Sequence, residues 1–301
     1  MTEARTRERS ERSRSVRPGR HVGLSPSAGF ERSFRALGTL AYGGAQVSAS
    51  VVDLASNAAL VSIDDYIVLP TAGVGKVLLL IEVSARLTVR DESGYGLLDK
   101  SPSDAVAGSG LWQHLQVPTL PVADLAILVG ATNDSLAANL LLRHVGIESV
   151  RARGESLGLT RTALLDFVRD RRGPDDAPQF SVGSTAELSW LMAALARGEV
   201  VDTVTSQRVM GWLANNADLS LVASAFGLDP LAHRQGDSGV LLVNKTGTDA
   251  GVRSEIGALQ GEHAAIAYAV SVQFDDARLA TRLVVLDALH TVGEDLLEYV
   301  Y

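Results

Sequence analysis

The chain of 301 residues contains three lysines, Lys76, Lys100 and Lys245. Two of them stand in segments whose residue types could do chemistry. Lys76 ends the run Leu69-Pro-Thr-Ala-Gly-Val-Gly-Lys76, at the mouth of a strongly apolar stretch. Lys245 belongs to Asn244-Lys-Thr-Gly-Thr248. Between them in sequence lies Gly130-Ala-Thr-Asn-Asp-Ser135. An ammonium group is costly to bury without a partner, and Asn133 and Ser135 are of the right type to supply one to Lys76. A lysine held against a hydroxyl can also take its proton and activate the oxygen for attack. Thr71, Thr132 and Ser135 are the hydroxyls available for that role. Each would need its oxygen near Lys76 and near N–H donors that stabilise an oxyanion, and Ser135 is the better placed.

Certain elements must position these residues. Gln46 to Val52 and Leu60 to Ile63 read as two strands of a hairpin. Gly75 to Arg86 reads as a buried helix that starts at the first lysine segment. From Leu97 to about Ala225 helical patterns dominate: Leu120 to Leu128, Ser135 to His144, Thr160 to Arg169, Thr185 to Arg197 and Ser206 to Asn215, punctuated by Gly and Pro. Gly239 to Lys245, Arg253 to Gln260 and Ala264 to Val272 read as three consecutive strands. Asp275 to Glu298 reads as a long closing helix, with Asp275 or Asp276 as its N-cap. Strands at both ends of the chain must meet in one antiparallel sheet. Terminal helices would flank that sheet, and an all-helical lobe would be inserted in it, giving an α+β fold. The expected boundaries are a basic tail over 1–22 and one domain over 23–301. In that domain the α/β lobe takes about 23–72 and 236–301, and the helical lobe about 73–235. A cleft between the lobes is the natural place for a ligand.

The order and separation of the three segments resemble the S-x-x-K, S-D-N and K-T-G motifs of the class A β-lactamases and penicillin-binding proteins. Ser109-Gly-Leu111 before the second motif and Trp212 ahead of the late strands support the resemblance, which runs from about Ala45 to the C-terminus. It implies a β-lactamase/transpeptidase-like fold. It also implies serine-hydrolase chemistry: a helix-start serine attacks a β-lactam or peptide carbonyl, a lysine one turn later takes its proton, and a second serine relays a proton to the leaving nitrogen. The K-T-G strand would then offer Lys245 and Thr246 to a substrate carboxylate.

The sequence departs from that pattern at decisive places. Three residues before Lys76 stands Gly73, which has no oxygen to acylate. Asp134 keeps the middle of the second motif, but Asn133 replaces its serine and Ser135 its asparagine. The deacylating glutamate that the resemblance places in a long loop is absent from Arg169-Asp-Arg-Arg-Gly-Pro-Asp-Asp-Ala-Pro178. The expectation is a pseudoenzyme, catalytically silent or impaired, that binds a carboxylate-bearing ligand or a partner. The alternative is an active hydrolase or acyl-transfer enzyme of the same fold, using Ser135 or Thr71 as nucleophile, or non-covalent chemistry assisted by Lys76. The expected cleft residues are Gly73, Lys76, Asn133, Asp134, Ser135, Lys245, Thr246, Gly247, Thr248 and Arg253. Asp134 could instead tie the helical lobe together, Gly247 could serve a close approach to the strand, and Arg253 could be a solvated strand charge. Trp112, Gln113 and His114 could form a cleft wall.

Composition narrows the remaining classes. Net charge is −8 with a pI near 5.3, which argues against nucleic acid as the main partner. There is no cysteine, and the six histidines form no HxH or HxxxH pair, so no metal or other cofactor is expected. Thr71-Ala-Gly-Val-Gly-Lys76 fails as a phosphate loop, with Pro70 and Val77 at positions that want Gly and Ser or Thr. The first twenty residues hold seven arginines and three glutamates and almost nothing apolar, the composition of a disordered tail. No apolar h-region follows the charges, so a cytoplasmic protein without a membrane partner is expected.

Overall fold

Apolar residues on alternate positions of a strand face one core, and the residues between them face another. This chain uses that rule to join two lobes across one sheet. The computed structural model describes residues 29–91, 95–101, 104–233 and 239–301; the tail expected over 1–22 lies outside the described residues. Helix α1 (Glu31–Tyr42) leads into the hairpin of β1 (Gln46–Asp53) and β2 (Ala59–Ile63). A short strand β3 (Leu69–Pro70) and a 3-10 turn, Ala72–Gly75, deliver the chain to α2 (Lys76–Thr88). Strand β4 (Leu97–Asp99) then pairs with β5 (Thr119–Pro121). Helices α3 (Val122–Thr132), α4 (Ser135–Val145) and α5 (Ile147–Ser156) follow. Strands β6 (Ala163–Leu164) and β7 (Ser181–Gly183) bracket a loop, and α6 (Thr185–Arg197) and α7 (Thr203–Leu213) complete the helical lobe. A 3-10 turn, Val222–Phe226, returns the chain to β8 (Leu241–Asp249), β9 (Val252–Gln260), β10 (Ala265–Gln273) and α8 (Leu279–Val300).

The main sheet has five strands in the order β2-β1-β10-β9-β8, so the early hairpin and the late meander meet where β1 pairs antiparallel with β10. On β10, Ile266, Tyr268, Val270 and Val272 face the core shared with α1 and α8. Ala267 and Ala269 face the core of the helical lobe. Small side chains on that second face let α6 lie close to the sheet. There the Ser48 and Thr185 hydroxyls are 2.6 Å apart, and those of Ser50 and Ser189 are 2.8 Å apart. Helix α2 is buried along almost its whole length and anchors the helical core. Its one acid, Glu82, accepts from Arg86 at 2.8 Å and Arg153 at 2.9 Å.

Two expected elements differ. Thr160 to Arg169 is not a helix. Its backbone bonds are taken from outside: Leu165 N–H donates to Phe180 O, and Val168 N–H to the side chain of Asn139. Asp166 accepts from Phe167 N–H, Arg169 and Arg172, which fixes a loop where periodicity suggested a helix. Helix α8 starts at Leu279 rather than Asp275, because Asp275 accepts from Ala277 N–H and Asp276 from Gly251 N–H. These carboxylates hold the turn before the helix and do not cap it.

Helices α1 and α8 are joined by a buried charge. Asp295 accepts from Ser33 N–H at 2.8 Å, from the Ser33 hydroxyl at 2.7 Å and from Arg32 Nε at 2.7 Å. Asp295→Ala strands those donors and should cost about 3 kcal/mol. Urea denaturation should show a lower midpoint with an unchanged slope.

Candidate functional site

The site begins where α2 begins. Thr71 N–H donates to Ser181 O at 3.1 Å, and the Ser181 hydroxyl donates to Ala72 O at 2.7 Å. These bonds hold Ala72 at φ +46, a conformation that costs a non-glycine residue about 1–3 kcal/mol. The strained turn swings Gly73 to the cleft and places Lys76 at the first position of the helix. Strand β8 presses on the same turn from the other side. A Cβ on Gly247 would sit 2.2 Å from Thr71 O and 2.9 Å from the nitrogens of Gly73 and Val74. Gly247 is therefore a close-approach glycine.

The joint between α3 and α4 supplies the third side. Asn133 ends α3 in the left-handed region at φ +55, which asparagine tolerates better than most residues. Asp134 caps α4 through Ala137 N–H at 2.9 Å, and its other oxygen accepts from Leu111 and Trp112 N–H, both at 2.8 Å. It thus ties the helical lobe together.

Lys76, Asn133, Ser135 and Lys245 converge on one floor. Lys76 Nζ donates to Asn133 O at 2.6 Å and to Ser135 Oγ at 3.3 Å. Lys245 Nζ donates to Asn133 Oδ1 at 3.0 Å and to Thr246 O at 3.0 Å. Burial pushes Lys76 well below the ordinary lysine range and Lys245 pushes it further, while Asp134 opposes both. Burial lowers Lys245 to about 7 against the attraction of Asp218 and Glu255. The cleft above this floor has a volume of about 290 Å³. Gly73, Lys76, Gly108, Ser109, Asn133, Ser135, Arg169, Asp170, Thr248 and Asp249 are among its lining residues.

Gly73 and Asn133 are fitted to each other. A Cβ built on Gly73 would lie 2.6 Å from both Oδ1 and Nδ2 of Asn133. The amide of Asn133 fills the space that a side chain at position 73 would need.

Other expected residues are placed elsewhere. Thr71 is fully buried with its hydroxyl 2.8 Å from that of Ser181, and it does not line the cleft. Arg253 does not itself line the cleft; it stacks on Phe274 and donates to Val252 O and to the main chain of the lining residue Asp249. Trp112 is buried in the helical core and His114 does not line the cleft. Lys245 and Thr246 lie beneath the surface, at 0% and 1% exposure. Among the described residues no group of three His, Asp or Glu side chains could hold a metal ion, and no helix is long and apolar enough to cross a membrane.

Three features of the site carry no motif in the sequence. Asn139 pins the 160–180 loop by bonding both N–H and C=O of Val168. Asp166 is the most buried of the four aspartates of that loop. Burial would raise it, but Arg169, Phe167 N–H and Arg172 hold it below the usual range. Asp218 accepts from the Thr246 hydroxyl at 2.7 Å. No spacing rule points to any of them.

A model of the beta-lactamase enzyme family matches residues 29–300. The chain belongs to that family. Among solved structures, a beta-lactamase from Sphaerobacter thermophilus superposes with a TM-score of 0.77 at 19% identity, over 90% of this chain and 97% of that one. PBP-A superposes at 0.73 with 16% identity, over 89% and 95% of the two chains. A class A beta-lactamase from Mycobacterium abscessus superposes at 0.71 with 16% identity, over 89% and 98%. These likenesses show the fold. No curated protein sequence matches the chain.

Two outcomes follow for this beta-lactamase-family site. Gly73→Ala should destabilise by about 1–3 kcal/mol through collision with Asn133. The loss should shrink in an Asn133→Gly background, giving a non-additive double-mutant cycle. The second concerns pH. Burial raises Glu255 to about 7 from 4.5, although Asn244, Tyr268 and Ala223 N–H favour its charged form. Between these values the folded chain keeps a proton that the unfolded chain has released, so stability falls as pH rises. Lys245 is lowered to about 7 from 10.5, so above about 7 the folded chain has lost a proton that the unfolded chain keeps, and stability rises again. Lys76, lowered well below its ordinary range, adds to that rise. Relative to the unmodified protein, Glu255→Gln should therefore remove a loss of stability of up to about 3 kcal/mol between pH 4.5 and about 7 in urea titrations.

Proposed function

We propose that this chain is a catalytically silent member of its family that holds a ligand or a partner in the cleft rather than processing one covalently. The observation that carries this reading is the contact between Gly73 and Asn133. Acyl transfer at this turn needs an oxygen on residue 73 within reach of Lys76. Glycine offers none, and the Asn133 amide occupies the room in which one would stand. Support for deacylation is also weak: the loop has no glutamate, its Asp166 is engaged by Arg169 and Arg172, and its cleft-lining Asp170 accepts from Ala107 N–H. The cleft itself persists, with hydroxyls, carboxylates and an arginine on its walls. Such a site can still hold a ligand.

A second reading has one specific observation in its favour. Ser135 Oγ lies 3.3 Å from Lys76 Nζ, and burial favours the neutral amine that could take the hydroxyl proton. One experiment separates the two. A mutant of the structural neighbour PBP-A is known as an acyl-enzyme complex with penicillin G, so penicillin G is the apt probe. Under prolonged incubation intact mass spectrometry should show no adduct on this chain, and a chromogenic cephalosporin should be hydrolysed no faster than in buffer. A stoichiometric adduct mapped to Ser135 would overturn the silent reading and establish the second.

A further inference from the structure

Outside the cleft, an exposed serine stands beside a base. Ser224 lies in the 3-10 turn Val222–Phe226, and His290 lies on α8. Ser224 Oγ is 2.9 Å from His290 Nδ1, and the hydroxyl also reaches Leu221 O at 2.6 Å. His290 Nε2 is 3.8 Å from Glu294 Oε1, one helical turn further on. Glu294 is in turn 3.5 Å from Arg32 Nη1.

The turn has little freedom to carry Ser224 away. Val222 and Ala223 N–H donate to the buried Glu255 at 2.8 and 3.4 Å. A Cβ on Gly293 of α8 would sit 2.1 Å from Val222 O and 2.8 Å from the Cβ of Ala225, so the turn is seated directly on the helix. The Glu294 carboxylate favours a proton on Nε2 of neutral His290, which leaves the Nδ1 lone pair toward Ser224. The hydroxyl has one proton and two acceptors, Leu221 O and Nδ1, and rotation about the Cβ–Oγ bond carries it from one to the other. With its proton given to Nδ1, the oxygen can attack a carbonyl carbon.

The pair opens on a groove of about 560 Å³, lined beside Ser224 and His290 by Leu283, Val284 and Leu286. Leu283 and Val284 are 55% and 54% exposed, on a helix whose opposite face is in the core. That is apolar surface free to receive an acyl chain. Asp287 also lines the groove, and with Glu294 it disfavours an anionic one.

We propose that Ser224 is an acylation site, activated by His290, that takes a short apolar acyl group from a neutral ester. Ser224 Oγ adds to the ester carbonyl carbon as His290 Nδ1 takes the hydroxyl proton. The carbonyl re-forms, the ester C–O bond breaks, and the proton passes from His290 to the departing alkoxide. The products are an O-acyl serine and an alcohol. This site shares no residue with the cleft lining.

p-Nitrophenyl butyrate supplies both the neutral ester and the apolar chain. Incubated with the full chain it should leave a butyryl group on Ser224, located by peptide mass spectrometry, and release p-nitrophenol. Ser224→Ala should remove that adduct. His290→Gln should slow its formation by about a hundredfold, the contribution of a positioned base. Leu283→Ser should slow butyrate transfer more than acetate transfer from the matching acetyl ester. Circular dichroism checks that each variant is folded. The proposal is overturned if Ser224 stays unmodified, if folded His290→Gln is labelled there as fast as the unmodified protein, or if Leu283→Ser slows both esters equally. Penicillin G carries a carboxylate that Asp287 and Glu294 disfavour, so an adduct on Ser135 would sink the silent reading without deciding this one.

Discussion

Two lysine amino groups are buried at the floor of one cleft, and Asn133 bonds to both. Lys76 takes its main-chain carbonyl and Lys245 its side-chain oxygen. Like charges in low dielectric repel and lose their hydration, so each must be given oxygen in good geometry or surrender its proton. One residue can serve both because it sits in the left-handed region at a helix joint, with carbonyl and amide directed to different neighbours. Asp134 fixes that joint by capping α4 and by holding the 111–112 backbone. The strained turn at Ala72 sets the height of α2, and the bare strand surface at Gly247 sets the distance of β8. The three walls of the cleft are thus positioned against one asparagine.

The lower half of the site depends on the same economy of charge. On β9, beside Thr246 of β8, Glu255 accepts from Asn244, Tyr268 and the N–H groups of Val222 and Ala223. Those two N–H groups begin the 3-10 turn that packs on α8. The buried acid therefore links the sheet, the return from the helical lobe and the terminal helix. A carboxylate taken fully out of water is tolerable there only because all its acceptor capacity is used. Asp218 completes the arrangement at the solvent edge.

Much of this was legible in the sequence for a definite reason. Strand alternation and the apolar run after Lys76 reflect burial, and the three motif remnants keep their order on the elements that carry them. The split sheet followed from strands at both ends of the chain. What stayed hidden was decided by contacts between distant residues. The segment 160–169 has helical periodicity, yet Asn139 and Phe180 take its backbone bonds. Thr71 and Arg253 have suitable chemistry, but neighbours in space claim them first. Asp218 stands in no motif, and its meaning comes only from the hydroxyl it meets across twenty-eight residues. The Asn133 substitution was visible, but not that its amide would lie against Gly73.

That last contact has a historical consequence. If an ancestor carried a side-chain oxygen at position 73, the path back is no longer a single step. Restoring a serine there alone sets its Cβ into the Asn133 amide, so the intermediate is penalised before any chemistry returns. Changing Asn133 first removes the side-chain acceptor of Lys245, which is penalised for a different reason. Both orders of mutation cross a valley. The fit between residue 73 and Asn133 makes the two positions one unit, in which a change at either is felt by the other and by Lys245.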